Sequence, residues 1–296
     1  MKYRQIGFFA AAMAFIGMTA SIIGTKRNIP YLHQTSVAQQ SRPWFHAFTE
    51  LFKVLHLLSA RAFLLANLVI AVGIGMALTM VLHINTLFYG FSSEQMGIYM
   101  LSIFLALAPA SWFAMKGTRL LSKPKSIIRF GSILTLFGPI PVLGHLYGLT
   151  PPSASYALLT IMCIFVVLQQ SFYISYLTVI GAMVPDIADE IELTTEFRKE
   201  GILNSAMMLT GKVTFGLGTF LAGLTIDFAG FDGVTTVEQI TQSMLTRLGW
   251  FYSLTITSLF LIDIYLFSHY RLDETRYKEI PTSIDEKKRY SSNAKL

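Results

Sequence analysis

The chain has 296 residues, of which 53% are apolar and only 14% are charged, and its net charge is +6. A soluble domain carries about 25% charged residues, so the composition excludes a soluble globular protein. It indicates an all-α protein that crosses a lipid bilayer several times. The single cysteine, Cys163, excludes a disulfide framework within one chain. The basic residues lie between apolar segments and in the tail, a distribution that does not indicate nucleic-acid binding.

Seven apolar segments follow one another along the chain, each about long enough to cross the hydrocarbon core as a helix. They are residues 7–24, 62–87, 96–115, 127–147, 156–184, 201–228 and 248–267. Glycines and prolines predict where helices stop, at Gly90, Pro124, Pro151, Pro152, Pro185 and Gly230. The predicted organisation is a first transmembrane helix in 1–24, a cytoplasmic loop with an interfacial helix in 25–61, a six-helix unit in 62–268 and a cytoplasmic tail in 269–296.

Lysine and arginine occupy alternate connections, and this alternation predicts the orientation of the chain. They are frequent in 25–61, in 116–129 and in the tail, whereas 88–95, 148–155 and 229–246 contain none. By the positive-inside rule the basic connections are cytoplasmic. The expected protein is therefore a multi-pass protein of the cell inner membrane, with its N-terminus outside and its C-terminus inside.

Lys212 lies in the middle of the apolar segment 201–228 and is the most informative single residue. A lysine at the bilayer centre costs at least ~2.5 kcal/mol on insertion scales and usually faces a cavity or a partner. Helical spacing places it on one stripe with Met208 and with the small or polar residues Asn204, Gly216, Thr219 and Gly223. We interpret this stripe as the wall of a solute or ion pathway. The simpler alternative is a lysine whose stem reaches the membrane surface.

A second face of the same helix carries Thr214, Gly218 and Ala222, whose four-residue spacing predicts close contact with another helix.

Other polar residues inside the apolar segments are candidates for the same pathway. Gln169, Tyr173 and Tyr176 share one helix face and predict either a solute path or hydrogen bonds between helices. His83 either faces the path or is hydrogen-bonded near a helix end. Asp263 is predicted to be an internal counter-charge for Lys212 or to reach the membrane surface.

The stretch from Pro185 to Glu200 is predicted to be a loop dense in charge. It holds Asp186, Asp189, Glu190, Glu192, Glu196, Arg198, Lys199 and Glu200. The spacing and central glycine of a calcium-binding EF-hand are absent, so local salt bridges are the simpler explanation. The histidines show no metal-ligand spacing, and we expect no metal site, no catalytic residue and no cofactor other than a coupling ion, H⁺ or Na⁺.

The stretch 181–230 resembles the glycoside–pentoside–hexuronide:cation symporter family of the major facilitator superfamily, which includes melibiose permease. The matching features are Pro185-Asp186, the acidic Asp189, the cluster Lys199-Glu200-Gly201 and the mid-membrane Lys212. The resemblance implies a Pro-Asp turn that closes one helix, and a lysine near the site of the coupling ion in the next. It also implies cation-coupled symport of sugars or glycosides.

The resemblance covers the second half of the family fold, from the sixth to the twelfth helix. Family members consist of two six-helix halves, with the solute between them. We therefore expect a truncated or partial transporter that works with a separate N-terminal half. The alternatives are a non-transporting membrane remnant or partner protein, or an integral-membrane enzyme. An enzyme would need intramembrane acid–base pairs or metal ligands, for which only Lys212 and Asp263 qualify.

The predicted topology can be tested with reporter fusions. Fusions at Ser92, Ser153 and Thr236 should report the outside, while fusions at Gln39, Ser122 and the tail should report the cytoplasm, because only the latter connections are rich in lysine and arginine. A cytoplasmic signal at Ser153 would contradict the predicted orientation.

Overall fold

The computed structural model describes residues 2–26, 57–195, 200–231 and 239–270. Two compact units are present, Met1–Trp44 and Phe45–Leu296. In the first unit, helix α1 (Lys2–Lys26) contains the first predicted segment. Of the interfacial helix predicted within 25–61, the part up to residue 56 lies outside the described residues, and residues 58–61 belong to the next helix. The cytoplasmic tail from 271 and part of the predicted external connection 229–246 also lie outside the described residues.

The second unit is built from helices, and the described residues contain no strand. The helices are α2 (Leu58–His83), α3 (Ser93–Ser102), α4 (Leu107–Leu120), α5 (Lys123–Phe137), α6 (Ile140–Leu146), α7 (Tyr156–Thr195), α8 (Glu200–Ala229) and α9 (Gln242–Ser268). A π-helical turn, Ile84–Phe88, prolongs α2, and a 3₁₀ turn, Ile103–Ala106, joins α3 to α4.

Six stretches in the described residues are long and apolar enough to cross a membrane. They are Leu58–Phe88, Ser93–Leu120, Lys123–Leu146, Tyr156–Glu192, Leu203–Ala229 and Gln242–Ser268. Each corresponds to one of the last six predicted segments, which confirms the fold class of an all-α, polytopic membrane protein. That α1 also crosses the membrane stays a prediction.

Most of the predicted helix boundaries agree with the structure. Gly90 and Gly230 follow helices and have φ values of 71° and 93°, in the left-handed region that favours glycine. Pro124 lies in the first turn of α5, and the pair Pro151-Pro152 lies between α6 and α7.

Pro185 does not end its helix, so the predicted loop from Pro185 to Glu200 is wrong over most of its length. Helix α7 runs through Pro185 as far as Thr195. A proline leaves the carbonyl four residues earlier, here that of Gly181, without its helical donor. Such a proline is tolerated in a membrane helix where neighbouring groups bind the backbone. Beside that position, the Nζ of Lys123 donates to the carbonyl of the next residue, Ala182, at 2.9 Å.

The closest approach between helices joins α2 to α8. A Cβ atom placed on Gly218 would collide with the carbonyl oxygen of Val72 and lie 2.7 Å from the backbone nitrogen of Met76. A Cβ atom on Gly75 would collide with the carbonyl oxygen of Phe215. Thr214 and Ala222, four residues on either side of Gly218, are buried. The predicted close contact through the face of Thr214, Gly218 and Ala222 is therefore confirmed.

Two apolar clusters fill the six-helix unit. One joins the first half of α2 to α5, to the second half of α7 and to the end of α9, and includes Phe63, Ile127 and Phe267. The other joins the second half of α2 to the first half of α7 and to the start of α9, and includes Met76 and Leu158. Because α2, α7, α8 and α9 contribute to both clusters, they form the frame against which α5 packs.

Replacing Gly218 by alanine should destabilise the chain by about 1–3 kcal/mol, because the new methyl group would meet the backbone of α2 rather than a side chain that can move. Gly211→Ala, on the same helix, is the matched control because a Cβ atom there would have no neighbour within 4 Å. The control should be neutral or slightly stabilising. Thermal unfolding in detergent measures both, and equal stability of the two variants would contradict the close contact.

Candidate functional site

Lys212 lies on the side of α8 that faces away from the helices packed against it. Thr214 points inward, and a separation of two residues turns the helix by about 200°. The lysine side chain is accordingly exposed, as is Asn204 at the start of the same stripe. Lys212 makes no hydrogen bond or ion pair within the described residues. The structure thus places the predicted polar stripe on the uncovered surface of the six-helix unit.

One residue of this stripe is tied to α2. The hydroxyl groups of Thr219 and Thr79 lie 3.1 Å apart, which is a hydrogen bond between the two helices. The same Thr79 supplies a backbone carbonyl at 3.3 Å from Nδ1 of His83. His83 is half-buried, and this contact lies near the end of its helix.

Asp263 is fully buried and makes its hydrogen bond with α7 rather than an ion pair with Lys212. The hydroxyl of Tyr176 donates to Oδ2 of Asp263 over 2.5 Å. Both side chains have 0% exposure, while Oδ1 of the carboxyl group has no hydrogen-bond partner. Asp263 therefore neither neutralises Lys212 nor reaches the surface, in contrast to both sequence-based alternatives.

The remaining polar residues of α7 have different surroundings. Tyr173 is partly buried and packs against the same apolar cluster as Tyr176. Gln169 is also half-buried, with its Nε2 near α5, 3.8 Å from where a Cβ atom on Gly138 would stand. Of the three polar residues predicted to line a path, Tyr176 belongs to the core, and the other two lie between the core and the surface.

Lys123 connects the start of α5 to the end of α7. Its Nζ donates to both carboxylate oxygens of Asp186, at 2.8 and 2.7 Å, in addition to the carbonyl of Ala182. The carboxylate of Asp186 is only 8% exposed, whereas Lys123 is 34% exposed. These contacts lie on both sides of Pro185, so one lysine fixes the start of α5 to the helical turn that the proline weakens.

Two further residues surround this acidic end of α7. The hydroxyl of Ser59, in the first turn of α2, donates to Oε1 of Glu190 over 3.4 Å. Tyr270, just after α9, is buried, and burial holds the pKa of its hydroxyl far above the usual range, with a smaller contribution from the charges of Asp186 and Glu190. The tyrosine is therefore neutral throughout the physiological range.

The motif residues that carry the family resemblance lie on two helices. Pro185, Asp186 and Asp189 belong to α7, and Glu200 and Gly201 begin α8. Residues 196–199 between them lie outside the described residues. The Pro-Asp pair therefore does not form the expected helix-ending turn, since α7 continues beyond it.

Sequence reasoning missed the partners of the acidic residues. It predicted local salt bridges, but Asp186 pairs with a lysine that precedes it by 63 residues. Lys123 had been counted only as one of the basic residues that set the orientation. The available signal was the presence of lysines and acidic residues at connections predicted to lie on the same side of the membrane. Within the described residues, no group of three or more histidine, cysteine or acidic side chains is arranged to hold a metal ion.

Comparisons with known proteins place this arrangement among transporters. The family described as MFS/sugar transport protein matches residues 1–274. A protein from Synechocystis sp. described as an uncharacterized symporter is 46% identical over 50 residues. That match covers 17% of this chain and 9% of the Synechocystis protein. No solved structure matches.

Replacing Lys123 by methionine should lower the free energy of unfolding by about 1–3 kcal/mol, because the nearly buried carboxylate of Asp186 loses its charged donor. Lys125→Met is the matched control, since Lys125 is exposed on the same helix. Combining Lys123→Met with Asp186→Asn should restore part of the loss, as measured by thermal unfolding in detergent. A strictly additive double variant would show that the two side chains do not interact.

Proposed function

Because the chain belongs to the MFS/sugar transport protein family, we propose that it takes part in cation-coupled symport of a sugar or glycoside across the inner membrane. The observation that carries the proposal is an exposed lysine in the apolar helix α8, on a stripe with Asn204 and small residues, within a unit of six membrane-spanning stretches. A charge at this depth is costly against lipid and is typical of solute and ion pathways. The Synechocystis relative is described as a symporter, which supports the same class of function.

We assign the roles of the predicted residues as follows. Lys212 lies near the coupling-ion site, where its charge competes or pairs with carboxylates, and the coupling ion is H⁺ or Na⁺. Gln169, Tyr173 and His83 line the solute path, since amide, phenol and imidazole groups supply the hydrogen bonds that the hydroxyls of a sugar require.

The exposed stripe of α8 also supports a partner. Lys212 and Asn204 face away from the helices of this unit, and the apolar side chain of Met208 beside them is 70% exposed. In transporters with two helical halves, solute and ion bind at the interface between the halves. We propose that a second helical unit, equivalent to the N-terminal half of the family fold, covers this stripe and supplies the carboxylates that Lys212 lacks here.

The structure also bears on the enzyme alternative. An intramembrane enzyme would need a facing acid and base, and the two candidates were Lys212 and Asp263. In the structure Asp263 bonds to Tyr176, while Lys212 is exposed on another helix. The family match likewise favours a transporter over an enzyme.

Uptake of labelled glycosides, driven by a proton or sodium gradient, tests the proposal. Uptake should appear in cells or proteoliposomes that contain this chain together with a co-expressed N-terminal half of a longer family member. Lys212→Met should reduce it at least about tenfold, equivalent to about 1.4 kcal/mol, while leaving membrane insertion intact. The methyl-ended side chain keeps the volume of the stem and removes the charge.

Lys125→Met serves as the control in the same assay, because it removes an exposed lysine on a different helix, α5. It should transport at the wild-type rate. Wild-type uptake by Lys212→Met would show that the lysine has no role in transport. Absence of gradient-driven uptake of any glycoside, with and without the second half, would contradict the symport proposal itself.

A further inference from the structure

We propose that Asp263 is a proton-binding site inside the six-helix unit, held by Tyr176, and that its proton is coupled to transport in addition to the ion bound near Lys212. The second part rests on the symport function proposed above, whereas the first depends only on the structure. The site is separate from the exposed stripe of Lys212, since it lies in the interior of the unit, between α7 and α9.

The site is built by three helices. Tyr176 of α7 donates to Asp263 of α9, and Gly131 of α5 lies beside this pair and leaves space for it. A Cβ atom on Gly131 would lie 3.1 Å from Cγ1 of Ile264 and 3.8 Å from the ring of Tyr176. On the far side, the ring of Phe267 meets the ring of Tyr176 edge-on at 6.2 Å. The carboxyl group is thus fully buried, and within the described residues the Tyr176 phenol is its hydrogen-bond partner.

The charge balance of this site requires a bound cation or proton. An ionised carboxylate without a cationic partner is costly in such a dry interior. From α7 the carboxyl group is faced by Tyr176, with Tyr173 behind it. The ionisable side chains of α2, α5 and α8 whose surroundings are described make no hydrogen bond or ion pair with Asp263; they are Arg61, His83, Lys123, Lys125, Arg129, Lys212 and Asp227.

The ligands present favour a proton over a metal cation. A bound metal cation of the hard type takes several oxygen ligands. Within the described residues, the only polar side chain bonded to Asp263 is Tyr176, and its hydroxyl donates to Oδ2. The buried Oδ1 has no partner. A single proton on this oxygen neutralises the group and needs no further ligand.

Release of the proton would change which conformation is favoured. The ionised carboxylate needs water or a cation, and neither reaches an atom with 0% exposure unless α7 and α9 separate at this level. A conformation with the carboxylate exposed therefore binds the proton less tightly than the closed one. Such a difference in affinity between two conformations is what links ion binding to movement.

Infrared difference spectroscopy of the purified full chain in detergent, between acidic and alkaline buffer, tests the proton site. At neutral pH the wild-type chain should show the carbonyl stretch of a protonated carboxyl group. Asp263→Asn should abolish this band, and Tyr176→Phe should shift its frequency, because the hydrogen bond to Oδ2 is lost. Asp227→Asn, which alters an exposed acid on α8, should leave the band unchanged.

A spectrum in which the Asp263 band is missing at neutral pH would overturn the proton site. Asparagine has the shape of a protonated aspartate, so Asp263→Asn should remain folded. Should it unfold instead, the frequency shift in Tyr176→Phe decides: a band that does not move overturns the assignment.

Transport measurements with the co-expressed half test the coupling role separately. Asp263→Asn should lose gradient-driven accumulation at least about tenfold, yet retain exchange of labelled for unlabelled solute, which needs no net proton release. Wild-type accumulation by this variant would overturn the coupling role. If the wild-type assembly transports nothing, the symport proposal fails and the coupling role fails with it, while the infrared result still decides whether Asp263 holds the proton.

Discussion

The contact between the backbones of α2 and α8 determines which face of α8 packs against the other helices and which face is exposed. Gly75 and Gly218 bring the two helices so close that neither position accepts a Cβ atom without movement of the backbone. With Gly218 directed at α2, rotation of α8 about its own axis is settled, and Lys212 must emerge on the other side. The orientation of the lysine is therefore a consequence of a steric constraint six residues away, rather than of any partner of the lysine itself.

The six-helix unit contains two kinds of polar pair, one partly exposed to solvent and one fully buried. Lys123 and Asp186 form an ion pair at the end of α7, where the lysine remains a third exposed and water can still reach it. Asp263 and Tyr176 are completely enclosed and share one hydrogen bond. Charge is acceptable at the first location because solvent screens it, whereas at the second it must be neutralised where it stands. The Lys123–Asp186 ion pair therefore connects two helices, whereas Asp263 is suited to binding an ion.

The two proposed sites lie in different surroundings within one unit. The stripe of Lys212 is on the exposed surface of α8, and the carboxyl group of Asp263 is buried between α7 and α9. α9 packs against α8 and also against α5, which lies beside Tyr176, so packed helices connect the surroundings of Asp263 to α8. Chains of packed side chains are one route by which two sites can be coupled. At Pro185, helix α7 has one backbone hydrogen bond fewer. Lys123 binds the residues on either side of this position, Ala182 and Asp186.

Hydropathy and the spacing of small residues were sufficient to predict the six membrane-spanning stretches and the contact face of Thr214, Gly218 and Ala222, because both are properties of a single segment. The distribution of lysine and arginine yields a predicted orientation for the same reason, and the residues from 181 to 230 carried the family resemblance. The partners of Asp186 and Asp263 were beyond sequence reasoning. They lie 63 and 87 residues away along the chain, and which helix faces which depends on rotations that packing selects. Pro185 was predicted to end its helix, but α7 continues through it, because the packing around a proline and not the proline alone determines where a membrane helix ends. A segment's pattern specifies that it is a membrane helix, while the neighbours of each polar side chain arise only when the helices pack.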